Sequence, residues 1–413
     1  MTSTKLYARG VNFMGQLGLL NRYQNSPNFQ EIQQLNGRQI EQVETHFSHS
    51  FCRLNDGQIL HWGYVLDSLT STRILNYYKS SPKLCQTWQK YAPFGRTLSM
   101  RLGEEQLNLM NVKTVMQKQA VKFSIGGGFI LALNNDGSVF GLGENYKGQL
   151  GTGDLGFKHH FEQIKFDTKE KIVDITAGYQ HSIFLTESGY LYGTGRANWH
   201  QIVPYLKEDK QDSRSYVDFH KIPKRMVIKN EKVKKMSAGF SHTIFLTLSN
   251  KIYGIGLNNH GQCGASNLNR ITCDEYHPVY TELDSDEKII DIAAGKSHNI
   301  FITNKKKIFA FGATIHNQIG RLPEFDIDQC SPTQVRIEME EDEYPTKVKA
   351  AFDRSAVFTN KGNCYVWGGE DLRAIGAENY GPVQNLKKEM GLTSEQIKDV
   401  GLGYLHTLVL VEQ

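Results

Sequence analysis

The sequence predicts an all-β protein, a seven-bladed β-propeller closed by pairing of its N-terminal strand with its C-terminal strand. Three observations lead to this fold class: seven copies of one strand motif, turn glycines at fixed offsets from it, and one copy divided between the two ends of the chain. Most successive copies are 52–61 residues apart, a spacing that suits a blade of four short antiparallel strands. Because a single blade leaves apolar faces exposed, the copies must close into a ring.

Each copy is anchored on a strand that begins at a histidine or at its replacement. The segment 181–186, His-Ser-Ile-Phe-Leu-Thr, alternates with period two and is rich in β-branched and aromatic residues, as is typical of a strand. A glycine eight residues after the anchor marks a hairpin turn, and a second glycine lies fourteen residues after it. At the hairpin position Asn250 can take a positive φ, whereas Lys306 takes it less readily. The seven anchors are His49, Phe129, His181, His242, His298, Arg354 and His406.

A second motif, Asn followed by Gly-Gln-Leu-Gly, comes after several return strands. It is complete at 145–151, has Cys at the Leu position in 258–264, weakens at 317–320 and is nearly lost after Gly195 and Gly368. The ends of the chain share one copy. Residues 5–10 read as a return strand followed by this motif, and residues 406–412 read as an anchor strand without a hairpin partner. We therefore predict that 5–10 pairs with 406–412, which leaves no open sheet edge at the seam.

Together these motifs resemble the repeats of the regulator of chromosome condensation family, over about residues 5–63 and 119–413. The resemblance implies a seven-bladed propeller, in agreement with the seven anchors. The best-known member of that family is a guanine-nucleotide exchange factor for a small nuclear GTPase. No exchange-specific motif can be matched residue by residue, so the resemblance carries over the fold and leaves the activity as an analogy.

The five anchor histidines do not predict a metal site. Each occupies the same place in a different blade, so they lie on a ring, whereas zinc needs its ligands within about 2.1 Å of one point. Phe129 and Arg354 occupy equivalent places, which also favours packing over chemistry. We expect these anchors to be structural, with each imidazole hydrogen-bonded to backbone inside its own blade. The five are His49, His181, His242, His298 and His406.

No motif predicts catalysis. The glycines 126–128 precede a strand, whereas a phosphate loop needs a following helix. There is neither a nucleophile elbow nor a zinc-protease motif. The acidic run from Glu338 to Glu343 is expected to be a solvated loop, with a contact to a basic partner as the alternative. We therefore expect a protein that is not an enzyme and that binds no cofactor and no metal.

The interval between His49 and Phe129 is 80 residues, so it contains an insertion within 64–118. This window has eight basic and three acidic residues, a balance of +5, while the whole chain is +4. Aromatic residues and arginine are favoured at interface centres. We predict that the insertion projects beside the first two blades and binds a partner. The alternatives are a solvated loop that packs on its own propeller, or a contact with nucleic acid. The proposed contact residues are Trp88, Lys90, Tyr91, Phe94 and Arg96.

These features favour a non-enzymatic protein-interaction platform, a subunit or assembly factor of a larger complex, within one propeller domain over 1–413. A guanine-nucleotide exchange factor for a small GTPase is the alternative, and a chromatin-binding protein is the second alternative. Outside the insertion the chain carries about −1, which argues against strong binding to phosphates and makes nucleic acid a poor candidate partner.

The sequence also indicates an intracellular protein. It has no apolar run long enough for a transmembrane helix, and its six cysteines form no CxxC pair, which favours reduced thiols. Residues 1–30 contain Lys5, Arg9 and Arg22 and no acidic residue. This pattern favours a mitochondrial location over a cytosolic, nuclear or ciliary one. A basic β-strand that lacks acids by chance is the alternative explanation.

Overall fold

The computed structural model describes residues 3–12, 15–19, 25–46, 49–63, 120–202, 218–228, 231–265, 271–320, 328–369 and 383–413. Seven antiparallel sheets follow one another around a central channel. Six of them have four strands, and the sheet that begins at Ile40 has three strands among the described residues.

The strands alternate with short turns along the whole described chain. In the first half they are β1 (Thr4–Gly10), β2 (Ser26–Glu31), β3 (Ile40–Thr45), β4 (His49–Leu54), β5 (Ile59–Gly63), β6 (Ala120–Ile125), β7 (Phe129–Asn134), β8 (Val139–Gly143), β9 (Lys158–Ile164), β10 (Ile172–Ala177), β11 (His181–Thr186), β12 (Leu191–Arg196) and β13 (Phe219–Met226). In the second half they are β14 (Val233–Ala238), β15 (His242–Thr247), β16 (Ile252–Leu257), β17 (Thr272–Val279), β18 (Ile289–Ala294), β19 (His298–Thr303), β20 (Ile308–Gly312), β21 (Gln329–Val335), β22 (Pro345–Ala351), β23 (Arg354–Thr359), β24 (Cys364–Gly368), β25 (Gln384–Asn385), β26 (Gln396–Leu402) and β27 (His406–Glu412). A 3₁₀ turn spans Gln33–Leu35 and a one-turn helix spans Leu386–Glu389.

We number the blades in chain order. Blade 1 is β3–β5, and blades 2 to 6 are β6–β9, β10–β13, β14–β17, β18–β21 and β22–β25. Blade 7 has the order β26-β27-β1-β2, so the two ends of the chain share it. β1 and β27 pair antiparallel from Thr4↔Glu412 to Gly10↔His406. The predicted closure of the ring is therefore confirmed, and hydrogen bonds fill the sheet edge that a split blade would otherwise expose.

Two faces of the propeller follow from this order. The first strand of each blade lines the channel. The turns between first and second strands lie on one face, where the third strands also end, and we call it the loop face. The tight turns between second and third strands lie on the opposite face, which we call the hairpin face. At the hairpin glycine position Asn250 and Lys306 take φ of 65° and 64°. The turn therefore keeps its geometry where another residue replaces glycine.

The hydrophobic core lies between adjacent blades. One cluster, for example, joins Ile244 and Leu246 of blade 4 to Ile292 and Phe301 of blade 5. Ile244, Leu246 and Phe301 lie on second strands and Ile292 lies on a first strand. Every position of the second strands β11, β15 and β19 is buried. Because each anchor strand is covered on both faces, it requires side chains of defined size on both, which explains the strong repetition of its sequence.

Candidate interaction face and the blade junctions

The anchor histidines connect each blade to the next one. His242 Nε2 lies 2.9 Å from Asn299 Oδ1, and Asn299 Nδ2 donates to the backbone oxygen of Gln262 at 2.7 Å. Gln262 belongs to the Gly-Gln-Cys-Gly turn of the histidine's own blade. The two contacts therefore join the histidine of blade 4 to a side chain of blade 5, and that side chain to the backbone of blade 4. We call this arrangement the junction relay.

The same relay occurs at three further junctions. His298 contacts Ser355 at 2.8 Å, His181 contacts Thr243 at 3.1 Å and His406 contacts Ser50 at 2.9 Å. Each hydroxyl in turn donates to the backbone oxygen of the turn glutamine in the preceding blade, at 2.7–2.8 Å. Our expectation that the imidazoles bond backbone inside their own blades was wrong for these four histidines. The Nε2 atom points across the junction because a polar side chain of the next blade offers it an acceptor there.

The relay also fixes the protonation state of the imidazoles. Because the hydroxyl or amide hydrogen is used on the glutamine carbonyl, its oxygen accepts and the Nε2 atom must carry the proton. Within the described residues, the Nδ1 atoms of His181 and His242 are buried without a hydrogen-bond partner. Burial lowers the pKa of His181, His298 and His406 to about 3 and that of His242 to about 4. These histidines are thus neutral structural groups at physiological pH.

Five of the seven anchors have a glycine three residues before them, and this glycine has a steric origin. A Cβ added at Gly178 would lie 2.1 Å from Cε1 of His181, and one at Gly239 would lie 2.1 Å from Cε1 of His242. The ring therefore folds back over the bare backbone of its own turn. Gly126 serves Phe129 in the same way, with 2.0 Å to Cε1. This contact explains the Gly-x-x-His spacing without reference to any ligand.

Two anchors depart from histidine and change their junctions. Arg354 reaches from blade 6 to Thr407 Oγ1 of blade 7 at 2.7 Å, so it replaces the relay with a cation. Phe129 is buried in an apolar cluster that also contains Ile175 and Phe184 of blade 3. At the junction of blades 1 and 2, the residue after the anchor is Ile130, which has no polar atom to offer His49. Blade 2 therefore has no histidine relay on either side.

Charged residues alternate around the channel. One position of each innermost strand carries, from blade 2 to blade 7, Lys122, Asp174, Lys235, Asp291, Lys347 and Asp399. Each lysine forms an ion pair with the aspartate of the next blade, at 2.8 Å for Lys235–Asp291 and 3.0 Å for Lys347–Asp399. We call this set the charge ring.

A ring of seven cannot alternate completely, and the odd place is held by Gln42 in blade 1. An acid there would face Asp399 of blade 7, and a base would face Lys122 of blade 2. The neutral amide avoids both repulsions and accepts from Phe123 N at 3.3 Å. Asp399 is nearly inaccessible, and it accepts from Val43 N of blade 1 at 3.0 Å. Burial alone would raise the pKa of Asp399, but Lys349 and Lys347 together hold it below the usual value.

Aromatic side chains surround the mouth of the channel on the loop face. Tyr179 stacks on Phe240 with ring centroids 4.0 Å apart and an interplanar angle of 11°. His46 continues the row toward Tyr179 at 6.5 Å and meets Phe352 at 5.1 Å. Phe352 contacts Tyr404 at 5.5 Å. Since most of these rings are only partly buried, this mouth cluster gives the loop face an aromatic centre.

Backbone hydrogen bonds between consecutive turns hold the mouth cluster in place. Gly127 N donates to Tyr179 O at 2.8 Å, Tyr179 N donates to Phe240 O at 3.2 Å, and Lys296 N donates to Phe352 O at 2.6 Å. Burial, then the neighbouring His49 and His406, lowers the pKa of His46 to about 3. The cluster is thus a rigid, largely uncharged platform at the centre of a face otherwise built from loops.

The partner residues predicted from sequence, Trp88, Lys90, Tyr91, Phe94 and Arg96, lie outside the described residues, as does the whole window 64–118. The described chain stops at Gly63, which ends a third strand on the loop face, and resumes at Ala120. Gly63, the last described residue before the insertion, therefore lies on the face that carries the mouth cluster.

Two repeated structural features were not predicted from the sequence. A glutamate lies eleven residues before five of the anchors, at 170, 231, 287, 343 and 395. Glu287 accepts from Thr303 Oγ1 and Glu343 from Thr359 Oγ1, both at 2.6 Å, so these carboxylates hold the hairpin of the following blade. The constant offset was the signal that could have revealed them. The run from Glu338 to Glu343 is therefore only partly a solvated loop, because Glu343 is buried in this role.

The Gly-Gln-Leu-Gly turn also persists where its letters change. In blade 3 His200 takes φ of 60° at the first glycine position, and the Gln201 side chain accepts from Trp199 N at 3.0 Å. Gln262 accepts from His260 N in the same manner at 2.8 Å. The sequence motif is nearly lost after Gly195, but the turn that it forms is kept. Its equivalent after Gly368 lies almost entirely outside the described residues.

The described ranges have few features of other kinds of site. No cluster of three or more His, Cys, Asp or Glu side chains there could hold a metal ion. No described helix has the length and apolar character to cross a membrane. The channel has a cavity volume of about 550 Å³, and the ion pairs of the charge ring occupy its wall.

The geometry and the repeats define a class of protein, the RCC1-like propellers. The family model for the RCC1-like domain matches residues 5–409, and the chain belongs to this family.

Known relatives share the fold at low sequence identity. The chain is 27% identical to the ultraviolet-B receptor UVR8 of Arabidopsis thaliana over 232 residues, 55% of this chain and 50% of that protein. It is 25% identical to the secretion-regulating guanine nucleotide exchange factor of Bos taurus, over 61% of this chain and 52% of that protein. The human ligase HERC5 is matched over 21% of its length. The chain thus spans about half, or less, of the length of these curated relatives.

Two solved structures resemble the whole propeller. Yeast RCC1 (Prp20), in a crystal structure with Kap60, has a TM-score of 0.74 at 17% identity and covers 100% of this chain and 89% of its own. Human WBSCR16 has a TM-score of 0.71 at 16% identity, with 99% of this chain and 98% of its own covered. At these identities the likeness establishes the fold alone.

Proposed function

We propose that this protein is a non-catalytic protein-interaction platform, a subunit or assembly factor of a larger complex, whose partner binds on the loop face. One observation carries the proposal. The repeated polar side chains that could have served chemistry are used within the ring, in the junction relays and the charge ring. The loop face, by contrast, presents a rigid aromatic centre beside the start of the basic, aromatic insertion. Buried aromatic anchors near the centre of an interface supply most of its binding energy.

The test is co-purification from native extract with a variant of the insertion. Trp88→Ala together with Tyr91→Ala should weaken partner binding, since each hot-spot side chain contributes on the order of 2 kcal/mol. The matched control is Tyr280→Ala with Tyr344→Ala, two exposed aromatic residues in the linkers of the hairpin face. Circular dichroism checks that both variants stay folded. Equal loss of partner in both pairs, or no loss in the first, would contradict the assignment to the insertion.

A second candidate is guanine-nucleotide exchange on a small GTPase. It is favoured by the similarity to the secretion-regulating guanine nucleotide exchange factor over 61% of this chain. The measurement is release of a fluorescent GDP analogue from a panel of small GTPases. Acceleration that is lost on substitution of Tyr179 and Phe240 by Ala would support exchange on the loop face, and release at the intrinsic rate for every GTPase would exclude this candidate for the panel.

Two further proposals concern chromatin and location. Prp20p of Saccharomyces cerevisiae, a structurally similar propeller, is described with its binding properties to Gsp1p and histones. Retention on DNA and on histones across a salt series therefore tests the chromatin alternative. The basic, acid-free start of the chain supports a mitochondrial location. Imaging of a C-terminally tagged protein tests this, and an exclusively nuclear signal would contradict it.

A further inference from the structure

The outer strand of blade 3 carries three cations that form no ion pair with any described residue. β13 has the sequence Phe-His-Lys-Ile-Pro-Lys-Arg-Met, with no acidic residue, and it lies at the edge of its sheet. Lys221, Lys224 and Arg225 are exposed. None of the three forms an ion pair with any residue in the described ranges. We call these three residues, together with the exposed Ile222 and Val227, the blade 3 rim.

Lysines elsewhere on the propeller are frequently paired, so this rim is unusual. On the hairpin face Lys251, Lys305 and Lys307 each pair with a carboxylate of the adjacent linker. In the outer strand of blade 2, Lys158 pairs with Glu162 at 2.9 Å. The outer strand of blade 5, β21, carries no charge at all. Three adjacent cations without acids are thus not a general property of outer strands.

Exposed aliphatic side chains accompany the cations, one in the middle of the strand and one just after its last residue. Ile222 is 47% exposed and Val227 is 68% exposed. They are five residues apart, a separation of roughly 16 Å along an extended strand. A binding partner that uses both must therefore run along the rim for this distance.

One of the cations is already positioned. The guanidinium carbon of Arg225 lies 3.9 Å from the ring centroid of Tyr190, and Lys232 Nζ lies 3.0 Å from the same centroid. Stacking on an aromatic face limits the rotamers of the arginine before a ligand arrives, which reduces the entropy lost on binding. The stack therefore presents two positive charges at the Val227 end of the rim.

The strand is unsuited to backbone pairing with a partner. Pro223 has no N–H to donate, and the register with β12 shifts between His220 and Lys224. Recognition on this rim must therefore come from side chains.

We propose that the blade 3 rim binds an extended acidic segment of a partner protein, with its carboxylates on Lys221, Lys224 and Arg225 and its apolar side chains on Ile222 and Val227. A bilayer is a poorer fit, because the two aliphatic side chains are spread along an edge, roughly 16 Å apart, and not gathered on one protruding tip. A DNA backbone is a poorer fit as well, because its phosphates would leave both aliphatic side chains without contacts.

This proposal rests on the proposed function only in requiring a protein partner, and it concerns a different surface from the insertion. Its test uses a synthetic probe, so its failure leaves the extract experiment standing. The probe is a fluorescent ten-residue peptide of alternating Glu and Leu, titrated by anisotropy at physiological salt with the full chain. Phosphatidylserine-containing vesicles and a DNA duplex are titrated in parallel.

Reversal of three charges on the rim, Lys221→Glu, Lys224→Glu and Arg225→Glu, should weaken peptide binding by about tenfold or more. The control reverses three exposed cations elsewhere, Lys288→Glu, Arg336→Glu and Lys388→Glu, with the same change of net charge, and should leave binding within about twofold. Ile222→Ser with Val227→Ser should weaken it by about fivefold without changing the salt dependence. Circular dichroism establishes that each variant is folded.

Three results would overturn the proposal: equal weakening by both charge reversals, no effect of the aliphatic pair, or tighter binding of vesicles or DNA than of the peptide. The first would show a response to net charge alone. The other two would show that the rim serves a different kind of ligand.

Discussion

The junction between blades 4 and 5 and the junction between blades 2 and 3 place different side chains at the same positions of the repeat. In the first, His242 contacts Asn299, which donates to the Gln262 carbonyl. In the second, Phe129 takes the place of the histidine, while Ser182 still donates to the Gln149 carbonyl at 2.6 Å.

This difference separates the two tasks of the anchor. Both rings lie over a bare glycine of their own turn, Gly239 or Gly126. The hydroxyl or amide bond to the glutamine carbonyl is present in both junctions as well. Of these contacts, only the one made by Nε2 distinguishes the two junctions. Both junctions therefore need a ring at the anchor position, and the polar contact is an additional interaction in the histidine junction. The charge ring still spans the junction of blades 2 and 3 through Lys122 and Asp174.

The largest expected difference is in acid, which should destabilise the junctions that have a relay histidine more than the junction that has Phe129. The relay histidines have a pKa of about 3 to 4 when folded, against about 6.5 when unfolded. Their contribution to stability is therefore complete above pH 6.5 and is lost as the pH falls toward these folded values. At pH 5 each can cost up to about 2 kcal/mol, and the four together several kcal/mol.

Urea midpoints measured between pH 8 and pH 4.5 test this expectation. The control is His159→Gln with His160→Gln, two exposed histidines of β9, which should leave the profile unchanged. A flat profile between pH 7 and pH 5 would show that the relay imidazoles accept protons in the folded state.

The ring shape can be tested at Phe129. Phe129→Ala removes a fully buried ring and should lower the free energy of unfolding by about 3–5 kcal/mol. Phe129→His keeps a ring over Gly126 and places Nε2 near Ser182, so we expect a loss of only about 1 kcal/mol at pH 8. Chemical denaturation at pH 8 measures both. If the histidine variant is as unstable as the alanine variant, a ring at position 129 is not sufficient to stabilise the junction of blades 2 and 3.

The polar contact can be tested at His242. His242→Phe leaves Asn299 Oδ1 buried without its donor and should cost about 1–3 kcal/mol. Adding Asn299→Ser converts this junction to the type found between blades 2 and 3, and should recover part of that loss. The double variant should also be less sensitive to acid than the wild type, because one buried histidine has gone. A double variant less stable than the single one would contradict the equivalence of the two junctions.

Much of this architecture could be predicted from the spacing of a few residues. The seven anchors, the glycines eight and fourteen residues after most of them and the split copy at the chain ends were sufficient to predict the number of blades and the pairing of β1 with β27. Local rules account for this success, because strand alternation and turn glycines are set by neighbouring residues. The glutamates eleven residues before the anchors were equally regular, but their role in holding a hairpin needs the fold to be visible.

The sequence by itself determined the fold class, the seven-fold repeat and the closure of the ring, because each follows from short-range periodicity and from fixed offsets. Only the tertiary structure decided what the repeated polar residues do. Whether His242 bonds its own blade or the next depends on the distance between two sheets, and the alternation of Lys235 with Asp291 acquires meaning only when blades are neighbours around a channel. The blade 3 rim was hidden for the same reason: Lys221, Lys224 and Arg225 are ordinary residues in the sequence. Only the positions of the carboxylates in the described part of the chain show that none of them forms an ion pair with these three cations.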